Sequence, residues 1–417
     1  MMRGTRLGHG KCGGAPWKLP LALAEPISST PTTLAGEPRF GTVRYTVRMN
    51  IRPFLTTIAL ASAWTAGCGW IPGDTFGRYD GGTTSSVAHN TAVADTGAPP
   101  PVCIPASDRV VTSLASGLVN PYSMAVNGSG IYFESGVSIF SVALAGGSAV
   151  ILATGQTGLG GMTVDRNSIY WTSWATLDPT ADPSLDRVMS MPITGGDAVV
   201  LVAGTHRPQD VAVDTTHAYW TAGGASDGVI MSVPLGGGTP ATLASEQVFP
   251  GSIAVDQDFV YWVNGTTTLA PPQDPATLMK VPKTGGLPVR LATAPTTAMV
   301  SRIAVDSSSV YWTLNGLIGS THIGTVTRVP LDGSAPILLV SDQNSPGDIA
   351  IDSEAVYWAN SNGCMGESGS IQKLPLAGGS PIALACDQFC PMGLAADATR
   401  VYWTDAYLGA VMTTTKD

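Results

Sequence analysis

The sequence predicts an all-β protein: a seven-bladed β-propeller of four-stranded blades, closed by an N-terminal strand that completes the last blade. Three observations predict it. One phrase recurs seven times at near-even spacing. A second phrase, turning on Gly and Pro, follows each of the first six copies. No window shows convincing 3.6-residue periodicity, the mark of an amphipathic helix.

The first phrase reads MAVNGSGIYF (Met124–Phe133), MTVDRNSIYW (Met162–Trp171), VAVDTTHAYW (Val211–Trp220) and IAVDQDFVYW (Ile253–Trp262). It continues as IAVDSSSVYW (Ile303–Trp312), IAIDSEAVYW (Ile349–Trp358) and LAADATRVYW (Leu394–Trp403). Its anchors are Asn127, Asp165, Asp214, Asp256, Asp306, Asp352 and Asp397, separated by 38 to 50 residues. A Tyr follows every anchor at five residues. Fixed internal spacing with variable separation marks a repeated unit joined by loops.

Each unit divides into four short runs. An apolar run ends at the anchor, whose side chain accepts main-chain N–H bonds in a tight turn. The Tyr-Trp run follows, and its aromatics suit the seam between stacked units. The second phrase, as in MSVPLGGGTPATL (Met231–Leu243), supplies two more runs around a Gly-rich hairpin turn. Four strands at a period near 45 residues make a propeller blade. The seventh unit holds three runs, near residues 393–396, 401–404 and 409–414, while RVVTSLASG (Arg109–Gly117) stands unpaired before the first. Pairing the two ends closes the ring and protects its edge.

Val401–Asp405 (VYWTD) and Gly324–Val340 (GTVTRVPLDGSAPILLV) resemble the YWTD repeat of the low-density-lipoprotein-receptor propellers, over about residues 109–417. The resemblance implies the propeller fold. Those receptor propellers have six blades, whereas seven copies occur here, and only the last keeps the full Tyr-Trp-Thr-Asp. No ligand contact therefore carries over. The pattern is similar to that of exported bacterial repeat proteins.

Ahead of the repeats, MNIRPFLTTIALASAWTAGC (Met49–Cys68) joins Arg48 and Arg52 to an apolar run too short to span a membrane. It resembles a bacterial lipoprotein signal, with Thr65 where that pattern usually has Leu. The resemblance implies cleavage before Cys68, lipid attachment to its thiol, and export to the cell envelope. The expected organisation is a non-native upstream extension or disordered segment (1–48), a signal (49–67), a flexible tether (68–107) and the propeller (108–417). The tether is too small, polar and Pro-rich to offset its ordering entropy.

Composition excludes nucleic acid as a partner. Residues 68–417 carry 28 Asp/Glu against 13 Lys/Arg with no basic cluster, and nucleic-acid affinity is driven by phosphate neutralisation. One disulfide is expected among Cys364, Cys386 and Cys390, whose loops share a face; the pairing stays open. Cys386 and Cys390 lack the nearby histidines of a zinc site. His206, His217 and His322 show no ligand spacing. Asp178, Asp182 and Asp186 crowd one loop (Thr172–Arg187) without the spacing of a calcium loop. Gly158–Met162 opens no helix and is not a dinucleotide fingerprint. Asp165, Asp214, Asp256, Asp306, Asp352 and Asp397 read as structural turn residues because they recur in six of seven units.

No catalytic residue, cofactor or metal follows from these patterns. The expected function is a binding or scaffold module, tethered to a membrane by its lipid, with a protein or glycan partner on the face of the long loops. The alternative is a lyase or hydrolase with its site at the central channel. That alternative requires three or more ionisable side chains around the channel, where Arg302 is the main departure from the apolar inner-strand pattern.

Overall fold

The structure is a computed structural model that describes residues 109–417 apart from 175–182, 226, 266–274, 296–297, 319–320 and 365–368. Seven four-stranded antiparallel sheets succeed one another along the chain. Their innermost strands are Pro121–Asn127, Leu159–Val164, Pro208–Val213, Pro250–Val255, Ala298–Val305, Pro346–Ile351 and Pro391–Ala396. In blades one to six the remaining three strands follow in sequence order toward the rim. The seventh sheet differs: its outer strand is Thr112–Ala115, paired with Ala410–Thr415 through Thr112↔Thr413 and Ser113↔Met412. The first and last described strands thus close the ring. Among the described residues, the helical content is two short 3₁₀ turns, Pro183–Leu185 and Asn362–Cys364.

The aromatic pair of each repeat builds the seams. Tyr132 shares a core cluster with Trp171, Tyr170 with Trp220, Tyr219 with Trp262 and Tyr261 with Trp312. Tyr311 and Trp358, then Tyr357 and Trp403, continue the series. Tyr402 meets Phe133 in the cluster that joins blade seven to blade one. Each Tyr therefore shares a buried cluster with the next blade's aromatic, and the six tryptophans of the repeats are fully buried. Truncating such a side chain costs about 3–5 kcal/mol, so the seams hold the blades together.

Buried indole N–H groups need acceptors. Trp171, Trp262, Trp358 and Trp403 donate Nε1–H to Oε1 of Gln156, Gln247, Gln343 and Gln388 at 3.1, 3.2, 2.9 and 3.0 Å. Each Gln lies fifteen residues upstream, directly after a residue with positive φ: Gly155, Glu246, Asp342 or Asp387. This glutamine is a repeat element that the motif reading of the sequence missed.

Antiparallel connectivity sends the turns at the Asp anchors and the Gly-rich hairpins to one face. The loops after the Tyr-Trp strands, and those leading into each inner strand, emerge on the other face.

Candidate functional site

The residue just before each phrase lines the centre of the ring: Ser123, Gly161, Asp210, Ser252, Arg302, Asp348 and Gly393. Three of the seven are charged and part-buried, with side-chain exposures of 13% for Asp210, 25% for Arg302 and 22% for Asp348. Asp210 Oδ1 accepts Val211 N–H at 2.9 Å, and Oδ2 accepts Ile253 N–H of the next blade at 3.1 Å. Asp348 repeats the arrangement, accepting Ile349 N–H at 3.0 Å and Leu394 N–H of the next blade at 2.8 Å. Ser252 Oγ accepts Ile303 N–H at 3.2 Å. These side chains clasp one blade to the next.

Arg302 crosses the channel to the clasps. Its Nη1 donates to Asp210 Oδ2 at 3.0 Å, and its Nε lies 3.9 Å from Asp348 Oδ1. The glycines make room. A Cβ on Gly161 would sit 1.7 Å from Asp210 Oδ1, and one on Gly393 would sit 2.2 Å from Tyr122 O.

A fourth ionisable group comes from outside the inner strands. Thr172, Thr221, Thr313 and Thr404 follow the repeat Trp and donate Oγ–H to a carbonyl of the next blade, those of Gln209, Gly251, Gly347 and Tyr122. Blade one has Glu134 at this place, only 4% exposed. Among the described residues, its Oε1 has no hydrogen-bond partner. Burial pushes the Glu134 carboxyl up to about 8; Arg302 pulls it down, Asp210 pushes it up, and the Ser123 N–H bond lowers it. It is therefore a neutral acid at pH 7. Burial also raises Asp348 above the ordinary carboxylate range, although Arg302 and two main-chain donors oppose the rise. Burial works against the charge on Arg302, but Asp210 and Asp348 outweigh it and raise the guanidinium further.

Among the described residues, the channel thus holds at least four ionisable side chains, Glu134, Asp210, Arg302 and Asp348, of which the sequence reading named only Arg302. The number meets the requirement set by an enzyme. The bonding points elsewhere, because Asp210, Arg302 and Asp348 are engaged with one another and with blade main chain. Among the described residues, no group of three His, Cys, Asp or Glu is placed to hold a metal ion.

The six anchor aspartates share one geometry on the turn face. Oδ1 accepts the N–H groups two and three residues on, as at Asp165 with Asn167 and Ser168, both 2.7 Å. Oδ2 accepts the hydroxyl of the Tyr five residues on: Tyr170, Tyr219, Tyr261, Tyr311, Tyr357 and Tyr402, at 2.6–3.1 Å. Burial, then the Asp bond, pushes the Tyr170 hydroxyl up to about 12. Against burial, Lys283 at 2.7 Å and three bonds from Thr216 and His217 hold Asp214 well below the usual range. An open concavity of about 1020 Å³ between blades two, three and four is lined by Asp165, Arg166, Asp214, His217, Asp256 and Lys283. Its carboxylates are occupied by the turns.

The opposite face is apolar in part. Phe389 and Tyr407 stack at 5.3 Å with planes 10° apart, and Tyr407 is 73% exposed. Leu408 and Phe249 are also exposed. Arg207 lies over the Trp174 ring at 5.7 Å. Cys364, in the loop after the Tyr-Trp strand of blade six, is bonded to Cys390 at the start of blade seven. His206 lies in the loop into blade three and accepts Gly223 N–H through its carbonyl; on the turn face, His217 Nδ1 meets Thr216 Oγ1 at 2.8 Å. Asp186 is buried and accepts Arg207 N–H at 2.7 Å. Asp178, Asp182, Cys68 and the His322 side chain lie outside the described residues.

No family profile matches the chain, and no curated protein matches it significantly in sequence. Solved structures do match. An oligogalacturonate lyase in complex with manganese is 12% identical, with TM-score 0.53 over 75% of this chain and 96% of that one. Tricorn protease is 12% identical, with TM-score 0.53 over 74% of this chain; the match spans only 34% of that protein. A nidogen/laminin complex is 16% identical, with TM-score 0.45 over 61% of this chain and 93% of that one. At such identities the first two likenesses are of fold alone.

Proposed function

We propose that this chain is an exported, lipid-anchored propeller that acts as a binding or scaffold module at the cell envelope, and that its partner is a protein docking on the loop face. The observation that carries the reading is the Phe389–Tyr407 stack, with Tyr407 73% exposed beside Leu408 and next to the Cys364–Cys390 bond. A rigid, exposed aromatic anchor is what interface hot spots are made of. The test is capture of a partner from envelope extract by the full chain and by Tyr407→Ala. One protein held by the parent chain and weakened at least tenfold by the substitution supports the reading. Equal capture by both chains removes it.

Glu134 favours a second reading. A buried, neutral carboxylic acid with one unpartnered oxygen facing an arginine is suited to general-acid chemistry, which fits a lyase or hydrolase at the channel. The lyase among the structural relatives adds nothing beyond fold. A hydrolase or lyase activity abolished by Glu134→Gln in a folded protein would place this reading first.

A further inference from the structure

Two kinds of clasp tie neighbouring blades at the level of the channel. Thr172, Thr221, Thr313 and Thr404 join blades two to three, three to four, five to six and seven to one. Asp210, Ser252 and Asp348 join three to four, four to five and six to seven. Among the described residues, the seam between blades one and two has neither. Glu134 stands there in place of the Thr. It keeps one half of the Thr role: it accepts Ser123 N–H of its own blade, as Thr404 accepts Gly393 N–H. The other half is missing, because Glu134 Oε1 is buried without a partner. The charged groups acting on Glu134 are Arg302 and Asp210, from Ala298–Val305 and Pro208–Val213, so the carboxyl faces the channel. The strands around it, Pro121–Asn127, Ser138–Val142 and Leu159–Val164, carry no charged side chain, and Tyr122 is their one titratable group.

Charge in this cluster does not balance. Asp210 and Asp348 set two carboxylates against the one guanidinium of Arg302, and an ionised Glu134 would be a third. A buried surplus of charge is costly. Burial, with Asp210 adding to it, makes both Glu134 and Asp348 hold their protons more tightly than usual. The group that would restore balance is a monocation with N–H donors. An anion is repelled, and the oxygens are not placed for a metal ion. An alkylammonium head, with three donors on a slender stem, needs no regular coordination shell. Entry is from the loop face. Asp210 and Asp348 are the third residues of strands that begin there, and Glu134 is the last but one of a strand that ends there. We propose that the loop-face end of the channel binds a small alkylammonium ion, whose head donates to Glu134 Oε1 beside Arg302 and Asp210. On binding, Glu134 loses its proton to solvent, the ammonium keeps its own, and an N–H···O⁻ bond forms. The acidic body, with 28 Asp/Glu against 13 Lys/Arg over residues 68–417, draws cations toward it. The site needs neither a reaction in the channel nor a partner at Tyr407.

The test is calorimetric titration of the full chain with n-butylammonium chloride at low ionic strength, at pH 6 and pH 8, where the amine is charged throughout. Because a proton leaves as the cation binds, affinity should rise at least about tenfold between the two pH values. Buffers of different ionisation heat should report about one proton released per cation at pH 7. Tetramethylammonium has the same charge but no N–H donor, and should bind at least about tenfold more weakly at pH 8. Glu134→Gln should bind at pH 8 no better than the parent chain does at pH 6, and without pH dependence. The proposal is overturned by no binding of n-butylammonium, by equal affinity at pH 6 and 8, by tetramethylammonium binding as tightly, or by Glu134→Gln behaving as the parent. The pH series and tetramethylammonium on the parent chain decide the matter even if the variant fails to fold. No turnover and no protein partner is read, so the outcome stands apart from the Tyr407 capture and from any activity lost in Glu134→Gln.

Discussion

Thr205 stands fifteen residues before Trp220, the place that glutamine holds before four other tryptophans, and Thr205 Oγ1 and Trp220 Nε1 are both buried without a partner among the described residues. Threonine is too short to reach the indole. The backbone is already suitable, since Gly204 has φ 73°, like the positive-φ residues that precede the glutamines. Thr205→Gln should satisfy the indole through Oε1. Its Nε2 should reach the carbonyl two residues back, as Gln247 does to Ser245 O at 2.6 Å. One buried hydrogen bond contributes about 1 kcal/mol, so the substitution should raise the urea midpoint measurably and Tm by about 1–3 °C. No rise, or a fall, would mean that the seam has no room for the longer side chain.

Arg302 neutralises the channel, and its removal should be costly. Arg302→Ala leaves Asp210 and Asp348 part-buried, with only main-chain donors as partners. Breaking a buried ion pair on one side typically costs about 3–5 kcal/mol; with a quarter of the guanidinium exposed, the lower end applies. Arg302→Ala combined with Asp210→Asn should recover part of the loss, and chemical denaturation of the single and double variants measures the coupling. Additive losses would show that the two side chains act independently.

The ring and the turns were not equally legible in the sequence. Asp165 or Asp397, with its Tyr five residues on, is visible because a turn and a strand start are local and repeat in register. Glu134, Asp210, Arg302 and Asp348 come together only when the ring closes, from positions up to 214 residues apart. Their one sequence signal is vertical: aligning all seven copies on the residue before the phrase gives Ser, Gly, Asp, Ser, Arg, Asp and Gly. Glu134 needs a second alignment, on the residue after the repeat Trp, where Thr is usual. The glutamines escaped for a related reason. Gln247, Gln343 and Gln388 end their outer strands and Gln156 lies just past one, where the spacing to the next Trp is constant but the neighbouring residues are not.

Tyr402 and Asp397 offer a test of what the repeat motif is for. Tyr402→Phe removes only the hydroxyl that Asp397 Oδ2 accepts at 2.6 Å, leaving the ring against the seam with Phe133. Asp397 keeps its Thr399 and Arg400 N–H bonds. A loss of about 1–2 kcal/mol is expected. Asp397→Ala removes the turn acceptor as well and should cost more, as read by urea denaturation of the two variants. If Asp397→Ala is the milder change, the carboxylate does not hold the turn.

The channel and the turn face should impose opposite pH dependences. Glu134 is raised to about 8 from its ordinary 4.5. An acid whose folded-state value is raised contributes stability that is fully present below 4.5 and is lost as pH rises toward 8. Asp348 is shifted in the same direction. The anchors Asp214, Asp306, Asp352 and Asp397 are lowered from 3.8. They contribute stability above pH 4 that is lost on acidification. Stability should therefore peak near pH 5 and fall on both sides. Between pH 5 and 8 the slope from Glu134 approaches roughly 1.4 kcal/mol per pH unit at its steepest. Glu134→Gln, neutral at every pH, should flatten that alkaline limb and leave the acid limb in place. Urea unfolding at pH 3, 5 and 8 measures both. A parent chain equally stable at pH 5 and 8 would mean that the Glu134 carboxyl ionises normally, and the acid proposed for the channel would then be a carboxylate.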